Sequence, residues 1–338
     1  MSYLRIILKR LSLLILVVLG VSVITFVVSH LIPGDPARLI AGDRASDEMV
    51  VAIRHTLGLD RSLPVQYGHY LVRLAHGDLG QSIRTTRPVV EDLKSFFPAT
   101  LELALVALLL ATLLGIPLGI LSAVYRNKAV DQVVHTVAVI GISTPAFWLG
   151  LLLIILCYGK LGILPGGGRL PEGLDPPTHV TGFFIVDSLL TGNHATLVAS
   201  LKHILLPGFT LGFVHLGIVA RQIRSAMLEQ LGEDYVRTAR ANGLPKWTVI
   251  LHHALPNALI PSVTVLGLAM GDLLYGAVLT ETVFAWPGMG AYVVNSIQAL
   301  DFPAVMGFAV VVSFAYVILN LVIDLLYMVI DPRITEAG

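Results

Sequence analysis

Six stretches of this sequence, residues 11–31, 101–123, 134–157, 204–222, 257–280 and 304–329, are too apolar over too great a length to rest against water. A helix needs about 20 mostly apolar residues to cross the hydrocarbon of a bilayer, and each stretch approaches or exceeds that. The fourth is the weakest, because Lys202 and Arg221 confine it to 18 residues that include His203 and His215. The runs are continuous and lack a two-residue alternation, so they predict helices rather than barrel strands. Composition agrees: 13% of residues are charged, against about 25% in an ordinary soluble domain.

The formal net charge of zero gives no global basic field for nucleic acid. The one cysteine, Cys157, allows no intrachain disulfide. At the N-terminus, Arg5, Lys9 and Arg10 precede the apolar stretch Leu11–Ser29. That stretch exceeds the roughly 7–15 residues of a signal-peptide core and no small-x-small cleavage site follows it, so it is expected to be a retained first span.

Six spans put both termini on one side. Segments 1–10, 124–133, 223–256 and 330–338, with Arg221 at a helix edge, carry eleven of the 22 Lys and Arg residues, whereas 281–303 carries none. The positive-inside rule then predicts cytoplasmic termini. Two segments on the opposite side are long. Residues 32–99 hold turn signals such as Pro33-Gly34-Asp35-Pro36 and Gly77-Asp78-Leu79-Gly80, and are expected to fold as a small extracytoplasmic region. Residues 159–203, with Pro165-Gly166-Gly167-Gly168 and Asp175-Pro176-Pro177, read as irregular loop. Pro117 and Ser143-Thr144-Pro145 are bend signals within spans two and three.

Residues 224–256 are a polar island among these spans. From Ser225 to Ala241 the pattern suits one or two amphipathic helices, with Met227, Leu228, Leu231, Tyr235, Val236 and Ala239 as the apolar contacts. Gly243 is placed to end a helix in the left-handed conformation and Pro245 to open the next. Such a helix–stop–helix unit is stiff enough to transmit force. A passive connector on the membrane surface has the same composition.

No nucleotide-binding or hydrolytic motif accompanies this architecture. The only Gly-Lys pair, Gly159-Lys160, lacks the P-loop context, and neither H-E-x-x-H nor G-x-S-x-G occurs. His252 and His253 are adjacent and lack metal-ligand spacing, so no metal site and no catalytic residue are expected. Two acids mark a candidate path through the membrane. Asp272 lies well inside the fifth span and Glu281 at its outer mouth; either faces a substrate or makes a packing hydrogen bond. Glu102, at the expected start of span two, suits a helix N-terminus.

Ala239-x3-Gly243, followed by Leu255-Pro256, resembles the EAA loop of binding-protein-dependent ABC importer permeases, whose general pattern is EAA-x3-G-x9-I-x-LP. Arg237, Thr238 and His253 depart from that pattern, and the form Glu233-Asp234-Tyr235-Val236-Arg237-Thr238-Ala239 is similar to that of peptide and nickel importers. Leu57-Gly58-Leu59-Asp60, Phe97-Pro98-Ala99-Thr100 and Phe284-Ala285-Trp286-Pro287-Gly288 point to the same family. Ile40-Ala41-Gly42-Asp43-Arg44, the segment Asp175–Phe183 and Gly271-Asp272-Leu273-Leu274-Tyr275-Gly276 look like its D,D-dipeptide branch.

The resemblance implies an all-α membrane protein with the type I ABC importer permease fold. Its first span would be 1–31, its extracytoplasmic region 32–99 and its transmembrane core 98–329. It also implies that Glu233, Asp234, Tyr235, Arg237, Thr238, Ala239, Gly243, Leu255 and Pro256 couple the chain to an ATPase. The implied partners are a second, homologous permease, two cytoplasmic ATPase subunits that bind the ATP and magnesium, an extracytoplasmic peptide-binding protein and membrane lipid, in the inner membrane of a bacterium. The expected cargo is small peptides, with glutathione or nickel chelates as neighbours. An ion-coupled secondary transporter is the other class, with Asp272 and Glu281 as its only candidate coupling groups.

Overall fold

The computed structural model describes residues 3–31, 36–42, 45–56 and 58–330. Pro33-Gly34-Asp35 of the first turn signal, the pair Asp43-Arg44, Leu57 and the residues from Asp331 onward lie outside them. The described residues are helical almost throughout. In chain order the helices are α1 (Tyr3–Leu31), α2 (Pro36–Ala41), α3 (Asp47–Thr56), α4 (Leu63–Ala75), α5 (Val89–Val124), α6 (Ala129–Ser143), α7 (Ala146–Leu153) and α8 (Phe184–Leu190). They continue with α9 (His194–Gln230), α10 (Asp234–Ala241), α11 (Lys246–Thr248), α12 (Leu255–Val283), α13 (Met289–Gln298) and α14 (Phe302–Ile330). Wider π-helical turns extend α7 over Ile154–Lys160 and join α11 to α12 over Val249–Ala254.

Five helices are long and apolar enough to cross a membrane, and six if the bent pair α6–α7 is one span. The bend is 106° and falls at Thr144-Pro145, where the sequence signals it. Thr144 is extended at ψ 123°, as a residue before proline prefers, and so cannot continue α6. Several spans are longer than hydropathy marks. α9 runs from His194 to Gln230 because its charged residues sit near its ends, while His203 and His215 are buried along its length. α5 begins at Val89, so Glu102 lies more than three turns inside it rather than at its N-terminus. Its expected helix-dipole role is therefore replaced by another, given below.

The chain divides into two compact units. One comprises Leu4–Phe97 and Tyr292–Ile318. In it, Phe26 of α1 packs against Tyr67 and Tyr70 of α4, and the hydroxyls of Ser22 and Tyr67 are hydrogen-bonded at 2.9 Å. Asp301 there accepts hydrogen bonds from Ser82 Oγ, the Arg84 backbone N–H and the Ala304 backbone N–H. Phe96 stacks on Tyr292 at 5.1 Å. The segment expected to fold between the first two spans thus contains three helices and a tied turn.

The other unit contains Pro98–Ala291 and the chain from Leu319 onward. Its axis is α9, which packs along α12 and α6 and also touches α7 and α8. Close approach needs small residues where backbones meet. A Cβ at Gly212 would lie 2.5 Å from the Ala107 carbonyl oxygen, and one at Gly119 would lie 2.6 Å from that of Ala220. Two apolar clusters fill this unit. One gathers Leu103, Ala107, Ile204, Leu211, Leu273 and Trp286; the other surrounds the buried Met227, Val236 and Ile250.

Candidate coupling and pathway sites

The polar island folds as a bracket. α9 ends at Gln230, a turn through Gly232 and Glu233 reverses the chain, and α10 follows from Asp234 to Ala241. α10 has a narrow apolar face of Val236 and Ala239, both buried against Ile120, Ala123, Ile223, Met227, Val249 and Ala254. Burying one valine side chain is worth roughly 1.5–3 kcal/mol, so this face anchors the short helix to α5, α9 and the base of α12. Glu233, Asp234, Tyr235, Arg237 and Thr238 remain exposed. Asp234 and Arg237 pair at 3.0 Å on the surface.

Gly243 has φ +76°, and the helix ends in the two hydrogen bonds of a Schellman stop. The Gly243 N–H donates to the Arg240 carbonyl and the Leu244 N–H to the Ala239 carbonyl. Pro245 caps the next helix, which leads through Leu255, half-buried, and Pro256, exposed, into α12. Tyr235, expected as an apolar contact, instead works through its hydroxyl. It donates to Gln230 Oε1 at 2.7 Å and accepts from Asn257 Nδ2 at 3.0 Å, tying the end of α9 and the start of α12 to the bracket.

A knot missed by the sequence reading braces the same region. Asp131 on α6 receives a two-pronged pair from Arg224 of α9, at 2.7 and 2.8 Å, and also accepts from Ser122 Oγ and the Asn127 N–H. Three helices and a turn are held by one carboxylate. The bidentate Arg pair fixes angle as well as distance. Beside it, Lys246 and Lys128 lie 5.3 and 5.9 Å from the Tyr125 ring. The available signal was an acid just before one apolar run and an arginine just after the next.

Toward the other end of the same unit, Glu281 is fully buried. Its carboxylate accepts from Thr100 Oγ1 at 2.6 Å, the Gly290 N–H at 2.7 Å and the Ala291 N–H at 3.1 Å. Of the two roles open to Glu281, this geometry supports the packing joint. Gly288 lets the chain turn over it, since a Cβ there would collide with the carboxylate. Nearby, Glu102 pairs with the buried Arg169 and accepts the Ile185 N–H, while the Arg169 guanidinium lies 3.5 Å from the Phe184 ring centre. Glu102 thus pins the loop 161–183 rather than completing a helix terminus. Burial pulls the Arg169 guanidinium below its ordinary pKa, opposed by the Glu102 charge.

Asp272 is exposed on α12. The residues expected to couple and Asp272 therefore lie at different places in the unit, and Glu281 is sealed within it. No group of three or more His, Cys, Asp or Glu residues suited to a metal ion occurs among the described residues.

Residues 115–336 match the family model described as binding-protein-dependent transport system inner membrane component, and residues 3–104 match the model of its N-terminal part. The chain is 72% identical over 325 residues to a probable D,D-dipeptide transport system permease protein of Escherichia coli strain K12, covering 96% of each. It is 43% identical over 334 residues to a dipeptide transport system permease protein of the same strain, covering 98% of each. A glutathione transport system permease protein of Salmonella choleraesuis is 40% identical over 328 residues, covering 97% of this chain and 98% of that one.

Proposed function

This chain belongs to the family of inner membrane components of binding-protein-dependent transport systems, and we propose that it is the peptide-conducting permease subunit of an ATP-driven importer, with D,D-dipeptides as cargo. The likeness to peptide permeases extends over nearly the whole chain, and the 72% identity to the D,D-dipeptide relative exceeds the 40% to the glutathione relative. An ion-coupled secondary mechanism gains no support from this membership.

The observation that carries the mechanism is the bracket at α10. Its inner face is anchored by Val236 and Ala239, its far end is stopped at Gly243, and its outer face presents Asp234, Tyr235, Arg237 and Thr238, all exposed among the described residues. A cytoplasmic ATPase seats on that outer face. Closure of two such ATPases around ATP moves α10, and the Asp131–Arg224 knot and the Tyr235 bonds pass the movement into α6, α9 and α12. Both termini and α10 lie in the cytoplasm, and a second permease completes the path. An extracytoplasmic binding protein delivers the peptide to the opposite face.

The test is uptake of radiolabelled D-alanyl-D-alanine by vesicles holding the complete complex and the binding protein, with unlabelled competitors. D,D-dipeptide is expected to compete best, L,L-dipeptide less and glutathione least. Competition in the reverse order contradicts the cargo assignment.

A further inference from the structure

Leu268, Asp272, Tyr275 and Leu279 of α12 follow one another at steps of four, three and four residues, which places them on one helix face, and all four are exposed. Around the helix from them, Met270, Leu273 and Ala277 are buried in the cluster with Leu103 and Ile204. A carboxylate near mid-bilayer costs about 2.5–3.5 kcal/mol on insertion scales and is accommodated by a water-filled cavity or a protein partner. The stripe carrying Asp272 is therefore not a lipid-facing one.

α9, packed along α12, supplies a second polar group. His215 is 7% exposed, and its Nδ1 has no hydrogen-bond partner among the described residues. A Cβ built at Gly276, one turn after Asp272, would lie 3.7 Å from Leu211, one turn before His215, so the two helices meet at this level. A buried polar atom left without a partner costs roughly 1–3 kcal/mol, a penalty relieved when water or a ligand donor reaches it. So a carboxylate on an exposed stripe and a buried, unsatisfied nitrogen stand on neighbouring helices.

We propose that Asp272 and His215 form a station in the membrane for the ammonium group of a peptide in transit. An ammonium offers three N–H donors. Asp272 takes one and balances the charge; His215 accepts a second at Nδ1, and the third is left for water or the partner permease. Two acceptors from one chain hold the cation weakly enough to release it, as conduction requires. The binding protein still selects the peptide; the station requires that what passes carries a free amino group.

This inference rests on the importer reading, and the experiment separates the two. The complete complex, carrying Asp272→Asn, Asp272→Glu, His215→Asn or His215→Leu, is placed in vesicles and scored for ATP-driven uptake of D-alanyl-D-alanine. Asp272→Asn is expected to lower uptake about tenfold, roughly 1.4 kcal/mol, and Asp272→Glu to restore most of it. His215→Asn, whose amide oxygen replaces Nδ1, should exceed His215→Leu. Assembled Asp272→Asn complex transporting like wild type overturns the station alone; a wild-type complex that transports nothing takes down both readings.

A second measurement covers an Asp272→Asn chain that does not assemble. Leu279→Cys, in a Cys157→Ala background, should react faster with a cationic than with an anionic thiol reagent, and D-alanyl-D-alanine should slow the reaction. Equal rates for the two reagents, with no protection, overturn the proposal.

Discussion

Asp131 of α6 collects four hydrogen bonds from two other helices and a turn, so its removal acts on geometry before it acts on charge. Arg224→Ala leaves this largely buried carboxylate without its counter-ion and should destabilise the chain by about 1–3 kcal/mol, read as a lower Tm in detergent. An unchanged Tm would show that the knot is incidental. Asp187 offers a pH-dependent counterpart. Burial raises its pKa, but the Thr181 hydroxyl and the Thr181, Val180 and Gly182 N–H groups outweigh that and hold the carboxyl below the ordinary range. A depressed folded-state pKa stabilises the fold above the unfolded value of about 3.9, and that contribution is lost as pH falls through the folded value. Wild type should thus exceed Asp187→Asn in protease resistance of the loop 161–183 near neutrality, and the gap should close below about pH 4. A gap that widens in acid would contradict the assignment.

At the scale of elements, the bracket depends on one dihedral. No atom lies within 4 Å of a Cβ built at Gly243, so a side chain there meets open space and the whole penalty is conformational. The left-handed region costs an L-residue about 1–2 kcal/mol, more for a β-branched one, and the relaxed chain re-aims α10. Gly243→Val should therefore reduce both co-purification of the ATPase and ATP-driven uptake, while the spans still insert. Retention of both would remove α10 from the coupling role. This element was legible in sequence because its signals are local: a glycine stop, a proline start, an amphipathic turn between. The break at Thr144-Pro145 was legible for the same reason. The ends of α5 and α9 were not, since hydropathy stops at a charge while a helix continues past Lys202 and Arg221. Nor were the distant partners of Asp131, Glu102 and Glu281, namely Arg224, Arg169 and Thr100, which lie 93, 67 and 181 positions away and depend on packing that no local pattern encodes.

For the whole molecule, the central claim is a division of labour. The chain has no phosphate-binding loop, presents an anchored helix with an open outer face, and belongs to a family of transport-system membrane components. In the proposed division the chain supplies the path and the lever, and the energy enters from a bound ATPase. The identity to peptide permeases extends over the α10 bracket and the spans alike. The most direct test compares two energy sources for D-alanyl-D-alanine uptake in the same reconstituted vesicles. With the permease pair, ATPase subunits and binding protein present, ATP should drive accumulation, and a proton or sodium gradient without the ATPase should drive none. Accumulation powered by an ion gradient in vesicles that lack the ATPase would contradict the account.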